Sequence, residues 1–386
     1  MSYCLNWNAG ASAVLEIFSP GADVEEGVYQ LKYTPPFRTT IRPPLQRSNL
    51  GIGEFNQLDA QLETMVQSID VRAGRVAPAA GAMVSDPQSK MEEFGGILYG
   101  LTIPRYIGAD LEGGGLFLEI GMDESLLGYP WELMHDGDNF LCLKHNMGRF
   151  VNATSPIGQS NRDASWEALD EQEFSVLVVA VPKPLPRAGS KVEYEELGAA
   201  EAEAGGIIAT LTAIGGIKIN ALRGKEATYV NVKKELDKRH QIVHFCGHAQ
   251  ANEKTPANSK LILYDQDMTT GAVTAFVSKA RPMLCFVNAC ESGKVSQARG
   301  RINVYGLARA FLETGSYLLG SRWKVGDKAA KAFGTAFYTA LLKEGKPLGR
   351  AVLEGRMVCK EEEPHDFAWA SYVLYGDPRV SFIQRQ

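Results

Sequence analysis

Two apolar runs each close on a side chain capable of chemistry. QIVHFCGHAQ, residues 241–250, reaches Gly247 and His248, and PMLCFVNACESG, residues 282–293, reaches Cys290. A cysteine thiol is mostly protonated at neutral pH, but an imidazole that takes its proton makes it a competent nucleophile and can later return that proton to a leaving amine. Backbone amides near the ends of the runs, those of Ala249 and Cys290, could face the oxyanion formed when a carbonyl is attacked. Two other readings compete with a catalytic pair. His244, Cys246 and His248 alternate along one strand face and would make four metal donors with Cys290, yet consecutive same-face side chains of a straight strand rarely converge on one ion, so no metal is expected. The pair could also be ordinary core residues, since a cysteine in an apolar run is commonly a small buried hydrophobe. Phosphate chemistry is excluded on spacing. The sixth residue after Cys290 is Ser296 rather than the Arg of a Cys-x5-Arg loop, and ESGKVS lacks the first glycine of a P-loop, Asn288 standing in its place.

Both runs have the length and branching of buried strands, and the segments around them set the context. FSVLVVAVP is a continuous β-branched run, YEELGAAEAEAGGIIATL has helical composition, and IKINAL reads as a short strand. TYVNVKKELDKR reads as an amphipathic helix capped by Thr228, NVYGLARAFLETG as a helix with a glycine stop, SYLLGSRWKV as a strand, and DKAAKAFGTAFYTALLKEG as a helix capped by Asp327. Strands alternating with helices of this length make a mostly parallel sheet covered on both faces, and such sheets collect ligands outside the carboxyl ends of their strands. His248 and Cys290 are both expected just past such an end. The 31 residues from Ala251 to Arg281 are long enough for a crossover, so the two strands can be neighbours.

Upstream, residues 1 to about 90 mix short alternating segments, AVLEIF and GVYQLKY, with a Pro-rich connector, and AGRVAPAAGAMVSDPQSK reads as an exposed loop. The polar, turn-rich stretch 153–172 marks the best domain boundary, dividing residues 1–165 from 166–386. The bulk numbers narrow the function. With 386 residues, 45% hydrophobic and 22% charged, and a net charge of −5, the chain is a globular protein without the cationic surplus of a general nucleic-acid binder. No apolar stretch is long enough to span a membrane, and MSYCLNWNAG lacks the pattern of a signal peptide, so a cytoplasmic protein is expected. The six cysteines show no CxxC spacing, which argues against a zinc ribbon or a disulfide framework.

In order along the chain, FSVLVVAVPKPLP, LGAAEAEA, GKEATYVNVKKELDKRHQIVHFCGHA, FVNACESG, GLARAFLETGSYLLGSRWKVGDKAAKAFGTAFYTALLKEGKPLGRAV and FAWASYVLYGDP resemble the landmarks of the CHAT family. These are caspase-like cysteine peptidases related to caspases, legumains, metacaspases and separases. The likeness covers residues 172–382, and FGGILYGLTIP and YPWELMHDGDNFLCLKHNMGRF resemble the lead-in many members carry. It implies a three-layer α/β/α caspase-like sandwich with a mostly parallel sheet, preceded by an N-terminal α+β subdomain that can be an inactive protease-like half. It also implies a cysteine endopeptidase needing no metal or organic cofactor, acting on a protein target and switched on by a partner or signal in prokaryotic defence or programmed cell death. Gasdermins are among the targets of such systems. The alternative is a caspase-like interaction module that has lost turnover.

Position by position, the resemblance assigns His248 as the catalytic histidine and Cys290 as the nucleophile. Gly247 falls in the turn that shapes the histidine loop. The family usually has glycine after the histidine, and Ala249 stands there instead, so the oxyanion site depends on whether that backbone accepts a Cβ. Relatives that cleave after Arg or Lys often carry Asp two residues before the nucleophile. Here that residue is neutral Asn288, leaving Asp327 or the acidic loop at Asp265 and Asp267 as other sources of charge. Trp323 is a candidate subsite wall or a core residue. His244 is expected beneath the site, and Glu291 and Ser292 in a turn.

Overall fold

The computed structural model describes residues 3–7, 10–18, 29–36, 46–47, 52–72, 86–123, 126–151, 173–189, 193–250, 258–291, 304–323, 325–365 and 367–384. The upstream elements are strands β1 (Tyr3–Trp7), β2 (Ser12–Phe18), β3 (Gln30–Thr34) and β4 (Gln46–Arg47), helices α1 (Ile52–Arg72), α2 (Pro87–Thr102) and α3 (Arg105–Leu111), strand β5 (Phe117–Met122), the single turn α4 (Leu141–Lys144) and strand β6 (Asn146–Val151). Strand and helix then alternate: β7 (Ser175–Ala180), α5 (Gly198–Ile214), β8 (Lys218–Arg223), α6 (Tyr229–Leu236), β9 (Ile242–Gln250), β10 (Lys260–Ile262), β11 (Asp267–Thr269) and α7 (Thr270–Ala280). β12 (Leu284–Glu291), α8 (Val304–Leu312), β13 (Tyr317–Ser321), α9 (Asp327–Tyr338), α10 (Leu348–Glu362), β14 (Tyr372–Tyr375) and β15 (Val380–Gln384) complete the chain. Among the described residues no helix is long and apolar enough to cross a membrane.

The architecture is the expected three-layer α/β/α arrangement about a large, mostly parallel sheet. Among the described residues thirteen strands join one sheet, in which β8, β7, β9, β12 and β13 run parallel, each on its neighbour. Every residue of β7 is buried, the mark of a strand covered on both faces, whereas β8 at the edge alternates in exposure. Helices α5, α9 and α10 pack together in one group and α6, α7 and α8 in another.

The sheet does not stop where the composition changes. β14 turns antiparallel to β13 and pairs in parallel with β6, which leads on through β5 and β2 to β3 and β4. The two backbones meet so closely that a Cβ on Gly148 would lie 2.4 Å from the Gly376 carbonyl oxygen, so only glycine fits there. β1 pairs antiparallel with β15, bringing the first and last described strands together. Stretch 153–172, read as the boundary, lies outside the described residues.

Buried charge reinforces the junction. Arg149 donates to both oxygens of Glu132, through Nε at 2.7 Å and through Nη2. Arg322, at the end of β13, donates to the Gly128 and Tyr129 carbonyls, and Arg356 of α10 to those of Cys142 and Tyr372. Burial would raise the Glu132 pKa, but the Arg149 guanidinium, helped by Arg356 and Arg322, holds it below its ordinary value.

The capping expectations divide. Thr228 caps α6, its hydroxyl accepting from the Asn231 amide at 3.2 Å. Asp327 does not cap α9. Gly326 occupies the cap and Asp327 is the first helical residue, exposed, where the positive end of the helix dipole favours an anion.

Candidate functional site

β12 lies between β9 and β13, and its ladder with β9 sets Phe286 opposite His244, Asn288 opposite Cys246, Ala289 opposite Gly247, and Cys290 opposite His248. Adjacent strands are about 4.8 Å apart, so the two reactive positions are immediate neighbours across the sheet. The period of two puts His244, Cys246 and His248 on one face, shared with Phe286 and Asn288.

One expectation needs correction. His248 and Cys290 do not follow the ends of their strands; they lie inside them, and Gly247 is a strand residue rather than a turn. The reason is a change of neighbour. β7 ends against β9 at Cys246, and β10 then takes the vacated edge antiparallel, pairing Ile262 with His248, Leu261 with Ala249 and Lys260 with Gln250. With β12 on the other side, β9 stays extended to Gln250. Gly247 serves the crossing of the departing chain, because a Cβ there would meet the Val181 Cβ and carbonyl oxygen, each at 3.2 Å. Ala249 is buried and is not among the positive-φ residues, so its backbone carries a Cβ without strain.

His248 is fully buried, and the ring of Tyr194 stands 5.2 Å from its own at an angle of 50°. Tyr194 comes from the segment that leads into α5. Burial, with Asp267 nearby, raises its phenol pKa, so it stays a neutral cover over the imidazole.

Beneath this pair lies a polar network that the sequence did not announce. α5 turns Ala200, Glu203, Ala204, Ile207 and Leu211 inward at helical spacing, so a carboxylate enters an otherwise apolar stripe. Glu203 is 2% exposed. Both its oxygens accept from Asn288 Nδ2, at 3.0 and 2.9 Å, and His244 Nε2 lies 3.2 Å from Oε1. The other nitrogen of His244 lies 3.1 Å from the Tyr338 hydroxyl. Burial and the Glu203 charge push the Tyr338 pKa well above the usual range, so that hydroxyl keeps its proton. Both ring nitrogens of His244 are thus engaged, one facing the Glu203 carboxylate and the other the Tyr338 hydroxyl. The imidazole ring also meets Phe286 edge-on, with centroids 4.4 Å apart.

Glu203, His244 and Cys246 offer donor atoms within 4.8 Å of one another, a different set from the His244, Cys246, His248 and Cys290 weighed on spacing. Both His244 nitrogens are engaged in the network, and burial followed by Glu203 pushes the Cys246 thiol well above its usual range.

The remaining candidates separate. Asn288 is buried in the network. Trp323 is 8% exposed and packed in the core, its amide accepted by Ser371 Oγ at 3.0 Å. Asp265 accepts from the Tyr229 amide at the start of α6, and Asp267 pairs with Arg187 and Lys260, so both acidic side chains are engaged away from the network. Glu291 ends β12 rather than standing in a turn, and Ser292 lies outside the described residues. Sequence reasoning missed Glu203 and Tyr194. An acidic residue on the apolar stripe of α5 was the legible signal for the first, while nothing local marked the second.

A family model described as CHAT domain matches residues 92–377. No curated protein matches the chain. Among solved structures, the Arg-specific cysteine proteinase gingipain R (RgpB) of Porphyromonas gingivalis aligns over 84% of this chain and 76% of its own, with 14% identity and a TM-score of 0.46. The Saccharomyces cerevisiae separase–securin complex aligns over 95% of this chain but 30% of that one, with 13% identity and a TM-score of 0.46. Protein GSU0716 of Geobacter sulfurreducens aligns over 55% of this chain and 94% of its own, with 17% identity and a TM-score of 0.33.

Proposed function

The chain belongs to the CHAT domain family, and on that premise we propose that it is a cysteine endopeptidase whose nucleophile is Cys290 and whose acid and base is His248. The observation that carries the reading is the register of β9 on β12, which sets a cysteine beside a histidine on neighbouring strands within the matched region. In the reaction, the imidazole takes the thiol proton and the sulfur attacks the scissile carbonyl carbon. The tetrahedral oxyanion is held by backbone amides near Cys290 and Ala249, a kind of interaction worth roughly 100- to 1000-fold per donor. His248 returns the proton to the departing amine, and the thioester is then opened by a water that gives its proton to the same imidazole. No step calls for a metal or an organic cofactor.

The target is a protein, and activity is controlled by a partner or signal, in a setting such as prokaryotic defence, where gasdermins are candidate substrates. In support of control, His248 is fully buried beneath Tyr194, so a substrate reaches it only after this cover moves. The cytoplasm is the proposed compartment.

The test is cleavage of a peptide library by the full chain. Cys290→Ala and His248→Ala should each lower turnover on the order of 10^4-fold or more. Turnover that persists in Cys290→Ala would refute the mechanism. Alkylation gives an independent check. Cys142, Cys246, Cys285 and Cys359 are buried, and burial pushes up the thiols of the first three, so a mild thiol reagent should single out Cys290 from these four. A protein that keeps its fold but cleaves nothing and labels nowhere would be an interaction module instead.

A further inference from the structure

β9 changes its neighbour on one side just before His248. β7 pairs with it as far as Cys246, and β10, three residues long, takes up the same edge only from His248 onward. On the other side the ladder with β12 runs unbroken from Ile242 to Ala249. A ladder sets register, but the twist between neighbouring strands varies over about 25° from one sheet to another, so pairing alone does not fix how far apart two side chains stand at such a joint. Glu203 grips both strands at this level. Its Oε1 lies 3.2 Å from His244 Nε2 in β9 and accepts from Asn288 Nδ2 in β12 at 3.0 Å, and Oε2 accepts from the same Nδ2 at 2.9 Å. Asn288 is paired with Cys246, the last residue of β9 that β7 holds. The Tyr338 hydroxyl of α9 meets the other nitrogen of His244 at 3.1 Å, so the grip is fastened from two helices that pack on each other.

Asn288 stands two residues before Cys290, about 6.6 Å away along β12, and His244 four residues before His248, about 13 Å away along β9. A proton passes between a thiol and an imidazole only within hydrogen-bond reach, and a misplacement of about 1 Å can cost on the order of 100-fold in rate. We propose that Glu203 is a positioning residue for the dyad: by fastening β9 to β12 through His244 and Asn288, it sets the separation across which His248 takes the Cys290 proton. This rests on the peptidase reading of that pair. Glutamate suits the place better than glutamine, because an amide nitrogen at either oxygen would face the Asn288 Nδ2 donor.

The experiment follows alkylation of Cys290 by iodoacetamide in the full chain, with the modified peptide measured by mass spectrometry. The ratio of the rates at about pH 6.5 and about pH 9.5 reads the thiolate fraction and cancels access to the reagent. Relative to wild type, this ratio should fall roughly 10-fold or more in His248→Ala and roughly 3- to 10-fold in Glu203→Gln, the variant being shown by thermal melting to be folded during labelling. For the peptide most readily cleaved, kcat should fall roughly 10-fold or more in Glu203→Gln with KM nearly unchanged. A merely structural role would lower the melting temperature and leave the ratio at its wild-type value, and that result would overturn the inference. If Glu203→Gln does not fold, Asn288→Leu, which releases β12 from Glu203 at similar volume, decides by the same ratio and in the same direction. A ratio indifferent to His248→Ala would sink the peptidase reading and the inference with it, while a ratio that depends on His248 and ignores Glu203 would sink the inference alone.

Discussion

Glu132, in the turn Trp131–Leu133 ahead of α4, and Glu203, in α5, are each 2% exposed, yet their surroundings differ in kind. Glu132 faces a guanidinium through two bonds and has two more arginines close by, and those arginines are themselves held by backbone carbonyls. Glu203 meets an amide and an imidazole and, among the described residues, no Lys or Arg. The first cluster balances its carboxylate internally, and its work is to bind the upstream strands to the end of β13 and to α10. The second joins α5 to β9 through His244 and to β12 through Asn288, which stands two residues before Cys290. A buried carboxylate bonded to guanidinium groups locks the junction of the two halves, whereas one bonded to an amide and an imidazole locks the strands that carry Cys290 and His248.

The largest expected effect lies in the completed cluster. Arg149→Met should cost about 3–5 kcal/mol, because it strands the Glu132 carboxylate in the core. Urea denaturation measures this, and a loss below about 1 kcal/mol would erase the distinction between the two clusters.

Acid comes next. The Glu132 pKa is held below its ordinary value, and burial lowers that of His145, which contacts the Leu111 carbonyl, to about 4. For both groups the unfolded chain binds more protons in mild acid, so their stabilisation is complete above the unfolded values and is lost as pH falls toward the folded ones. For His145 the window runs from about pH 6.5 down to about 4 and holds up to about 3 kcal/mol. Denaturation midpoints should fall across that window, and less steeply in His145→Gln. A slope unchanged in that variant would contradict the assignment.

Smaller effects sharpen the other side. Glu203→Gln should cost only about 1–2 kcal/mol of stability, since what it weakens is hydrogen bonds to an amide and an imidazole rather than a bidentate guanidinium pair. Tyr338→Phe removes the hydroxyl 3.1 Å from His244 Nδ1 and should cost about 1 kcal/mol. Urea denaturation provides the measurement, and an unchanged midpoint would remove Tyr338 from the network.

Much of the carboxyl-terminal fold was legible. The runs that became β7, β9, β12 and β13 announced themselves as continuous apolar segments, Thr228 marked a cap, and the length between β9 and β12 allowed their pairing. The errors have local causes. Gly247 and His248 resemble a strand end because glycine usually breaks a pattern, but β10 pairs where β7 leaves off and prolongs the strand. Asp327 read as a cap because acidic residues cluster at helix starts, and the cap and the first turn differ by one residue. The continuation of the sheet through β14 into β6 had no signal at all, resting on one strand pairing and the close passage at Gly148.

By itself the sequence determined which strands are buried on both faces, the order of His248 before Cys290, and the family to which the chain belongs. These are local or ordered features, carried by side-chain periodicity and by motifs read along the chain. Only the tertiary structure decided that Glu203 meets Asn288, 85 positions away, and His244, 41 positions away, and that Tyr194 covers His248. Such meetings depend on strand register and on the rotation of a helix against the sheet. Both are set by the packing of the whole core, so no segment of the chain carries the information alone.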